Sequence, residues 1–399
     1  MSKKQIDIKI FRIYFFKVLT IVTLKKIILK KIQESKKPLL FRDFMNMALY
    51  YPSLGYYSSA KEKFSNQGDF ITATSQTSLF AKTFAQQFAT IITKIGDKCN
   101  IIEFGAGNGK FATDCINELK QLSSLPKNYI IIELSNTLKQ KQKQYIKNNA
   151  PELYDKFIWL DKLPNKKLKA IVFANELLDA MPVDIFKAKN NRLIQQGVTV
   201  NNNNFELCDM PQNDIRFENE ANKILKDISE FEDGYTSEIN TWIRPWVKSI
   251  KEVLEQGIVF LCDYGYHRNL YYSKQRKMGT LACYYKHQVN FDPFINIGEQ
   301  DITAHVDFTT VAESAYESGF QLDGYMTQAN FLKNAGISNI FSNLSNKLNL
   351  KDKLKYSNDM KTLLLNDKLS EVFKVIAFSL NFDVMLECFD NDDNIDYLL

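Results

Sequence analysis

Residues 101–111 read IIEFGAGNGKF, and this stretch decides the fold. A short apolar run leads into glycines at alternate positions, 105, 107 and 109, and a helix-forming segment follows. Since glycine has no Cβ, the backbone can turn tightly here and a ligand can lie against bare peptide groups. The amino terminus of the following helix favours polar or anionic groups of such a ligand. The stretch therefore predicts a strand, a ligand-binding turn and a helix.

Further short apolar runs, separated by helical segments, predict the rest of the sheet. Runs of this length without clean alternation are typical of strands buried on both faces of a parallel sheet. Two later segments, residues 321–326 and 372–380, are expected to add antiparallel strands at the sheet edge. The predicted fold is α/β, a Rossmann-like mixed sheet that is mostly parallel with an antiparallel edge. The five predicted parallel strands are Asn100 to Phe104, Tyr129 to Leu134, Lys156 to Leu160, Ala170 to Ala174 and Gly257 to Cys262.

The chain divides near residue 96, where this texture begins. Apolar residues at helical spacing before that point predict a helical N-terminal region over residues 22–95. The α/β core takes residues 96–399, with an inserted subdomain over residues 188–238. After the insertion we expect a helix from Ser237 to Gln256 with Gly257 as its terminator.

Residues 1–21 form an N-terminal extension that is rich in lysine and holds a single arginine. The stretch without charge, Val18 to Leu24, is far shorter than the roughly 20 apolar residues of a transmembrane helix, so no span is expected. No small-residue cleavage site follows, which argues against a signal peptide. A start codon assigned too far upstream is the leading explanation. A basic amphipathic surface helix and a mitochondrial-type presequence stay open.

Composition argues against several classes of function. Lysine and arginine number 51 against 46 acidic residues, and this net charge of +5 is not gathered into a basic stripe, so nucleic acid is not an expected partner. The six cysteines form no C-x-x-C pair and the chain has three histidines, so no metal site and no disulfide framework is predicted. Such cysteine usage fits a reducing compartment.

The glycine turn favours one kind of cofactor. Its spacing departs from the dinucleotide fingerprint G-x-G-x-x-G, because the third glycine comes one residue early. An acid, Glu103, stands two residues before Gly105. A carboxylate there would repel a pyrophosphate but suits a cationic amino-acid group. The turn, with Gly105, Gly107 and Gly109, therefore favours S-adenosylmethionine over a dinucleotide.

Polar residues follow the next three predicted strands. Glu133 can accept hydrogen bonds from both ribose hydroxyls of the cofactor, but NAD carries the same ribose, so Glu133 does not discriminate between the two cofactors. Asp161 could reach an adenine amine. For each of these acids, the alternative is an ordinary solvated side chain at a strand end. After the fourth strand, Asn175, Glu176 and Asp179 emerge over the expected methyl-donor position. We assign Asn175 to the cofactor site and the two acids to the substrate site.

Six motifs together are similar to the MidA family of class I S-adenosylmethionine-dependent methyltransferases, over about Leu24 to Phe378. Two departures from the family pattern are visible, at residues 73–76 and 104–107, where the family commonly places Pro and Glu, and Leu and Pro, respectively. The motifs are GDFITA (68–73), the glycine turn with Glu103, ANELLDAMP (174–182), DYGY (263–266), GTLACYYKH (279–287) and QDITAHVDF (300–308).

The resemblance implies a function. The family includes a mitochondrial assembly factor of respiratory complex I that methylates an arginine of a complex I subunit, so a protein arginine N-methyltransferase acting on such a subunit or a similar protein is expected. Glu103, the three glycines and Glu133 would hold the cofactor, while residues 175–182 and 300–308 would line the substrate site. Glu176 and Asp179 would clamp the guanidinium, and His305, oriented by Asp307, would receive its proton.

Alternatives remain at this stage. They are a methyltransferase acting on another protein or a small molecule, and a non-catalytic complex I assembly chaperone; a dehydrogenase comes last because of the glycine spacing. The expected compartment is the cytoplasm, or the mitochondrial matrix if the source is eukaryotic. The oligomeric state is left open, a homodimer included.

Overall fold

The computed structural model describes residues 23–59, 77–346, 348–365, 371–383, 386–390 and 393–398. The predictions for residues 1–21, for the motif at 68–73 and for Gln76 lie outside the described residues. None of the helices in the described ranges is long and apolar enough to cross a membrane.

An eight-stranded sheet forms the centre of the molecule, in the order β15-β16-β10-β5-β2-β3-β4, with β14 beside β10. Strands β10, β5, β2, β3 and β4 run parallel to one another, whereas β16 pairs antiparallel with both β10 and β15 at one edge. The predicted mixed α/β fold is thereby confirmed. The strands are β2 (Asn100–Phe104), β3 (Tyr129–Ile132), β4 (Phe157–Leu160), β5 (Leu168–Asn175), β10 (Leu254–Tyr266), β14 (Val306–Asp307), β15 (Gln321–Thr327) and β16 (Phe373–Leu380).

Helices cover both faces of this sheet, which explains the missing alternation in its strands. Ile101, Tyr129 and Ile258 lie on the face covered by the helices Ser78–Ile95 and Lys110–Gln121. Ile102, Ile130 and Val259 lie on the opposite face, covered by the helices Ile243–Val253 and Phe308–Glu317. The helices are α1 (Leu24–Ser35), α2 (Phe41–Tyr50), α3 (Ser78–Ile95), α4 (Lys110–Gln121), α5 (Asn136–Asn149), α6 (Ile215–Asp227), α7 (Ile243–Val253), α8 (Arg268–Tyr271), α9 (Phe308–Glu317), α10 (Gln328–Asn334), α11 (Ile337–Ser345) and α12 (Leu350–Leu365).

The inserted segment, together with Leu39–Leu40 of the N-terminal region, forms most of a second, five-stranded antiparallel sheet in the order β1-β7-β6-β9, with β8 beside β7. A third, three-stranded sheet has the order β12-β11-β13. The strands are β1 (Leu39–Leu40), β6 (Asp184–Lys189), β7 (Arg192–Asn201), β8 (Asn204–Asp209), β9 (Thr236–Ile239), β11 (Ala282–Tyr285), β12 (Gln288–Asn290) and β13 (Asp301–Thr303).

The expected helix from Ser237 to Gln256 is wrong at both ends. Residues 236–239 are strand β9, because they pair with β6 of the second sheet, and the helix occupies Ile243–Val253. Gly257 lies inside β10 and does not terminate the helix. A Cβ at this position would meet the carbonyl oxygen of Ala170 at 1.8 Å, so glycine permits the close approach of β10 to β5.

The predicted helical N-terminal region contributes to two cores. Helices α1 and α2 pack with the second and third sheets, around Phe41, Phe44 and Val198. Helix α3 packs instead on the central sheet, where Phe84 contacts Phe173 with a ring centroid distance of 5.1 Å. The α2 end of the segment thereby comes beside the loop that follows β5.

Candidate active site

The glycine turn joins β2 to α4 with three left-handed backbone conformations. Gly105, Gly107 and Gly109 have φ of 64°, 53° and 85°. A Cβ at Gly107 would meet no atom within 4 Å, whereas one at Gly109 would lie 3.3 Å from the Cα of Gln142. The turn therefore packs against α5 at its end and offers bare backbone to open space in its middle. Such a surface suits a ligand lying against peptide groups.

Glu103 lies in the interior at the penultimate position of β2. Its carboxylate accepts a hydrogen bond of 2.7 Å from the Tyr129 hydroxyl, and the residue is 3% exposed. Burial raises the pKa of Glu103 to about 8, although the bond from Tyr129 acts in the opposite sense. A nearby cation would favour the charged form of this carboxyl group.

Glu133 is held in place by a glutamine that sequence reasoning missed. Gln142 Nε2 donates to Glu133 at 3.1 Å and to the carbonyl of Gly107 at 3.0 Å, while Gln142 Oε1 accepts from Trp159 at 3.1 Å. The second Glu133 oxygen accepts from the Ser135 amide at 2.8 Å. Gln142 thus fixes the acid and the glycine turn relative to each other. Its only sequence signal is a polar residue at a helix position that proves fully buried.

Asp161 stands just beyond β4 and forms an ion pair with Lys139 of α5. Its side chain is 76% exposed. Both residues lie at the carboxyl edge of the sheet with Glu133. An exposed pair of this kind contributes little to stability.

The loop after β5 presents two acids close together. Asn175 donates to Glu176 at 3.0 Å, and Asp179 accepts from the Tyr264 hydroxyl. Burial, with the charge of Asp179, raises the pKa of Glu176 to about 8, and burial raises the pKa of Asp179 to about 6. Glu176 also has a left-handed backbone, with φ of 49°, which is uncommon outside glycine and costs strain. The loop thus holds two acids where burial disfavours their charged forms, and it holds Glu176 in a strained backbone conformation.

Asp263, from β10, organises this loop. One of its oxygens accepts from the amides of Leu177 at 3.1 Å, Leu178 at 2.9 Å and Asp179 at 3.4 Å. Burial and then the charges of Asp179 and Glu176 raise its pKa, while backbone donors act in the opposite sense. Asp263 is therefore a structural anchor of the acidic loop.

The ring of His305 packs against Tyr264, and Tyr264 in turn donates a hydrogen bond to Asp179, one of the two acids. The centroid of the His305 ring is 5.2 Å from that of Tyr264 and 5.4 Å from that of Tyr266. Its amide donates to Thr280 Oγ1 at 3.0 Å, and Thr280 Oγ1 donates to the buried Glu238 of β9 at 3.0 Å. Burial lowers the pKa of His305 to about 4, so the ring is neutral at pH 7.

The expectation that Asp307 orients His305 is wrong. Asp307 caps α9 through the amides of Thr309 and Thr310, and its second oxygen accepts from Arg268 Nε at 3.2 Å. These bonds direct the carboxylate to the helix and the arginine. Aromatic rings and the Thr280 contact position His305 instead.

Tyrosines that the motifs did not single out line the same region. Tyr50, at the end of α2, donates to the carbonyl of Ala180 at 2.9 Å and stacks on Tyr57 with a centroid distance of 5.4 Å. Tyr57 donates to Asp301 at 2.7 Å. Burial, then the charges of Asp301, Asp179 and Glu133, raise the pKa of Tyr50. Asp301, Asp179 and Glu133 therefore all lie close enough to Tyr50 for their charges to act on its hydroxyl group.

Three buried polar atoms of this region have no hydrogen-bond partner within the described part of the chain. They are Asn175 Oδ1, Asp179 Oδ1 and His305 Nδ1. Buried polar groups are usually paired, so each such atom requires an explanation. Their clustering beside the glycine turn and the acidic loop fits a site that binds a ligand with hydrogen-bond donors.

Comparison with known proteins agrees with this geometry. Residues 83–326 match the model of a family described as "Putative S-adenosyl-L-methionine-dependent methyltransferase". A crystal structure of a protein from Burkholderia thailandensis bound to S-adenosyl-homocysteine aligns with a TM-score of 0.85 and 33% identity, over 93% of this chain and 95% of that chain.

Curated relatives are more distant in sequence. The Danio rerio protein named "Protein arginine methyltransferase NDUFAF7, mitochondrial" is 24% identical over 364 residues, which is 85% of this chain and 83% of that protein. The Homo sapiens protein of the same name is 24% identical over 376 residues, 86% of this chain and 80% of that protein.

Proposed function

Since the chain belongs to this family of S-adenosyl-L-methionine-dependent methyltransferases, we propose that it transfers the methyl group to an arginine side chain of a protein. The predicted MidA resemblance, methyltransferase activity and cofactor are confirmed by the family match and by the relative bound to S-adenosyl-homocysteine. What we propose is the identity of the methyl acceptor and the role of each site residue.

The pair of acids after β5 carries the arginine assignment. Asp179 is buried and Glu176 is half-buried, and among the described residues neither acid has a lysine or arginine partner. Uncompensated carboxyl groups in such surroundings favour a cationic ligand. The neighbouring aromatic rings of Tyr50 and Tyr264 add surfaces that attract a cation. A guanidinium meets both requirements, since it is planar and binds carboxylates in a bidentate manner.

The cofactor residues divide between backbone and side chains. Gly105, Gly107 and Gly109 offer bare peptide groups, and Glu133, fixed by Gln142, would accept the ribose hydroxyls. Glu103, Asp161 and Asn175 are assigned to the same half of the site. Leu134, 70% exposed beside Glu133, supplies apolar surface for the adenine ring.

The catalytic residues must make a guanidinium nucleophilic. S-adenosyl-L-methionine supplies a methyl group on a positively charged sulfur. A guanidinium stays protonated at pH 7, because its pKa is above about 12. Glu176 and Asp179 pair with its nitrogens and orient the reacting one toward the methyl group. When the new N–C bond forms and the S–C bond breaks, the reacting nitrogen loses a proton.

Asp179 is the proposed acceptor of that proton. Its pKa of about 6 is close to the operating pH, which favours general base catalysis. Its Oδ1 is one of the three atoms without a partner, while Tyr264 holds the other oxygen. The sequence prediction gave this proton to His305. Burial lowers the pKa of His305 to about 4, which makes its ring a weak proton acceptor, so we propose Asp179 in its place and keep His305 in the substrate site as a neutral ring beside Tyr264.

The physiological acceptor follows from the resemblance. The curated relatives are named mitochondrial protein arginine methyltransferases, and the MidA resemblance implies a respiratory complex I subunit or a similar protein as substrate. The names of the relatives support the mitochondrial matrix, while the cytoplasm stays the prediction for a bacterial source.

Methyl transfer to arginine peptides tests the proposal. The full chain, with labelled S-adenosyl-L-methionine, should label peptides that contain arginine and not their lysine counterparts. Glu176→Gln should lower the rate about 10²- to 10³-fold, because a charged partner of the transition state is lost, while S-adenosyl-homocysteine affinity stays within twofold. Glu206→Gln, at an exposed site in β8, is the matched control. Full activity of Glu176→Gln would contradict the clamp, and labelling of small molecules alone would favour the alternative acceptor class.

A further inference from the structure

The three-stranded sheet β12-β11-β13 carries one row of side chains from the interior to the surface. Asp301 of β13 pairs with Tyr284 of β11, and Tyr284 pairs with Val289 of β12. Directly paired residues of antiparallel strands lie on the same face, with Cβ atoms about 5 Å apart. The residues therefore form a continuous row in the order Asp301, Tyr284, Val289.

Exposure rises steeply along this row. Asp301 is buried at 2%, Tyr284 is half-buried, and Val289 is 56% exposed. Phe291, two residues beyond Val289, is 74% exposed. Asn290, between them, points the other way, because its side chain donates to Gln300 at 3.2 Å. Val289 and Phe291 thus form an apolar rim at the outer end of the row.

The inner end of the row lies at the acidic pocket. Asp301 accepts from Tyr57, which stacks on Tyr50 beside the loop after β5. The pKa of Tyr284 is raised by burial and then by the charge of Asp179. One face of this small sheet therefore leads from an apolar rim to carboxyl groups that suit a cationic side chain.

Resting on the arginine acceptor above, we propose that the rim formed by Val289 and Phe291 binds the substrate polypeptide next to the methylated arginine and selects an apolar residue there. Charge and polarity fit this occupant at both ends, with a basic side chain for the pocket and an apolar one for the rim. An extended chain places alternate side chains on one face about 6.8 Å apart. The row from Asp301 to Val289 makes two steps of about 5 Å, which is about 10 Å in all and lies between the spacings of side chains two and four residues apart. The apolar residue is therefore expected two or four positions from the arginine.

A peptide library measures this selection directly. Immobilised full-length protein, saturated with S-adenosyl-homocysteine, is offered nine-residue peptides with a central arginine and all other positions varied, and retained peptides are sequenced. Wild-type protein should enrich Leu, Ile, Val and Phe over Asp and Glu about tenfold at the second or fourth residue on one side of the arginine, which corresponds to about 1.4 kcal/mol. A library with central glutamine should not be retained.

Variants identify the surface that is responsible. Val289→Asp with Phe291→Asp should remove the enrichment and raise KM for an enriched peptide about tenfold, with kcat and S-adenosyl-homocysteine affinity unchanged. Val289→Ser with Phe291→Ser serves as a second, uncharged pair should the first not fold. Leu350→Asp with Leu354→Asp, at 74% and 58% exposure in α12, is the matched control and should keep the enrichment.

The outcomes separate the docking surface from the proposed reaction. A wild-type protein without selection at either of these positions, or a rim variant with the same selection, overturns the docking surface even if arginine is methylated. Retained peptides that show the selection but accept no labelled methyl group support the surface and contradict arginine methylation.

Discussion

The two halves of the site are built differently. The cofactor half comes from one contiguous stretch, residues 103–175, and its acids have partners: Tyr129 for Glu103, and Ser135 with Gln142 for Glu133. The acceptor half brings together segments from α2, the β5 loop, β10 and the third sheet, and it leaves Asp179 Oδ1 and His305 Nδ1 unpartnered among the described residues. A half whose acids are paired within one stretch of chain suits a ligand common to a family. A half that is assembled from distant segments and has polar atoms without partners suits a specific acceptor.

The largest expected effect is the loss of ligand binding in the cofactor half. Gly107→Val forces a β-branched residue into φ of 53° and places its side chain where the ligand lies against the turn. Calorimetry with S-adenosyl-homocysteine should detect no binding. Gly234→Val is the matched control, because Gly234 has φ of 88° and open space at its Cβ, but lies in the turn before β9. Unchanged binding by the Gly107 variant would remove the cofactor from this turn.

The next effect tests the acceptor half alone. Asp263→Asn replaces an acceptor of three loop amides by a group that both donates and accepts, so the loop with Glu176 and Asp179 should loosen. Methyl transfer should fall about 10²-fold, since small displacements of catalytic groups are costly, and S-adenosyl-homocysteine affinity should stay within twofold. Asp323→Asn, at a half-buried acid of β15, should leave both unchanged. Equal losses of affinity and rate would mean that the two halves are not independent.

A smaller effect on cofactor affinity tests the role of Gln142. Gln142→Leu removes the bonds to Glu133 and the Gly107 carbonyl, and leaves the Trp159 donor without its acceptor. Affinity for S-adenosyl-homocysteine should fall about tenfold, in line with a buried hydrogen-bond loss of about 1–3 kcal/mol. Gln144→Leu, at a surface position of the same helix, should bind normally. A normal affinity for the Gln142 variant would show that the turn and Glu133 hold their geometry without it.

The last effect is on the free energy of unfolding and its pH dependence, and not on binding or rate. Because the folded-state pKa of Glu103 is about 8 against an ordinary 4.5, its contribution is fully present below pH 4.5 and is lost as pH rises through 8. Glu103→Gln removes this dependence. Between pH 5 and 8 the wild-type free energy of unfolding should fall by on the order of 2 kcal/mol more than that of the variant, measured in urea. Parallel pH profiles of the two proteins would show that burial does not perturb this acid.

The sequence predicted the cofactor half better than the acceptor half. Strand β2, its glycine turn and α4 were predicted because their signals are local, namely a run of apolar residues, alternate glycines and helical periodicity. The buried Gln142 gave no such signal, since a polar residue in a polar helix resembles its solvated neighbours. The assignment of Asp307 failed for a related reason: closeness to His305 in the chain does not reveal that the carboxylate caps α9 and pairs with Arg268.

By itself the sequence determined the mixed α/β sheet, the glycine turn and the acids at strand ends, because backbone propensity and hydrophobic burial act over neighbouring residues. The tertiary structure alone decided that residues 236–239 form a strand, that Gly257 lies within β10, and that Tyr50, Asp263 and His305 approach one loop. These arrangements depend on pairing between residues far apart in the chain. Their free energy comes from contacts that no local pattern encodes.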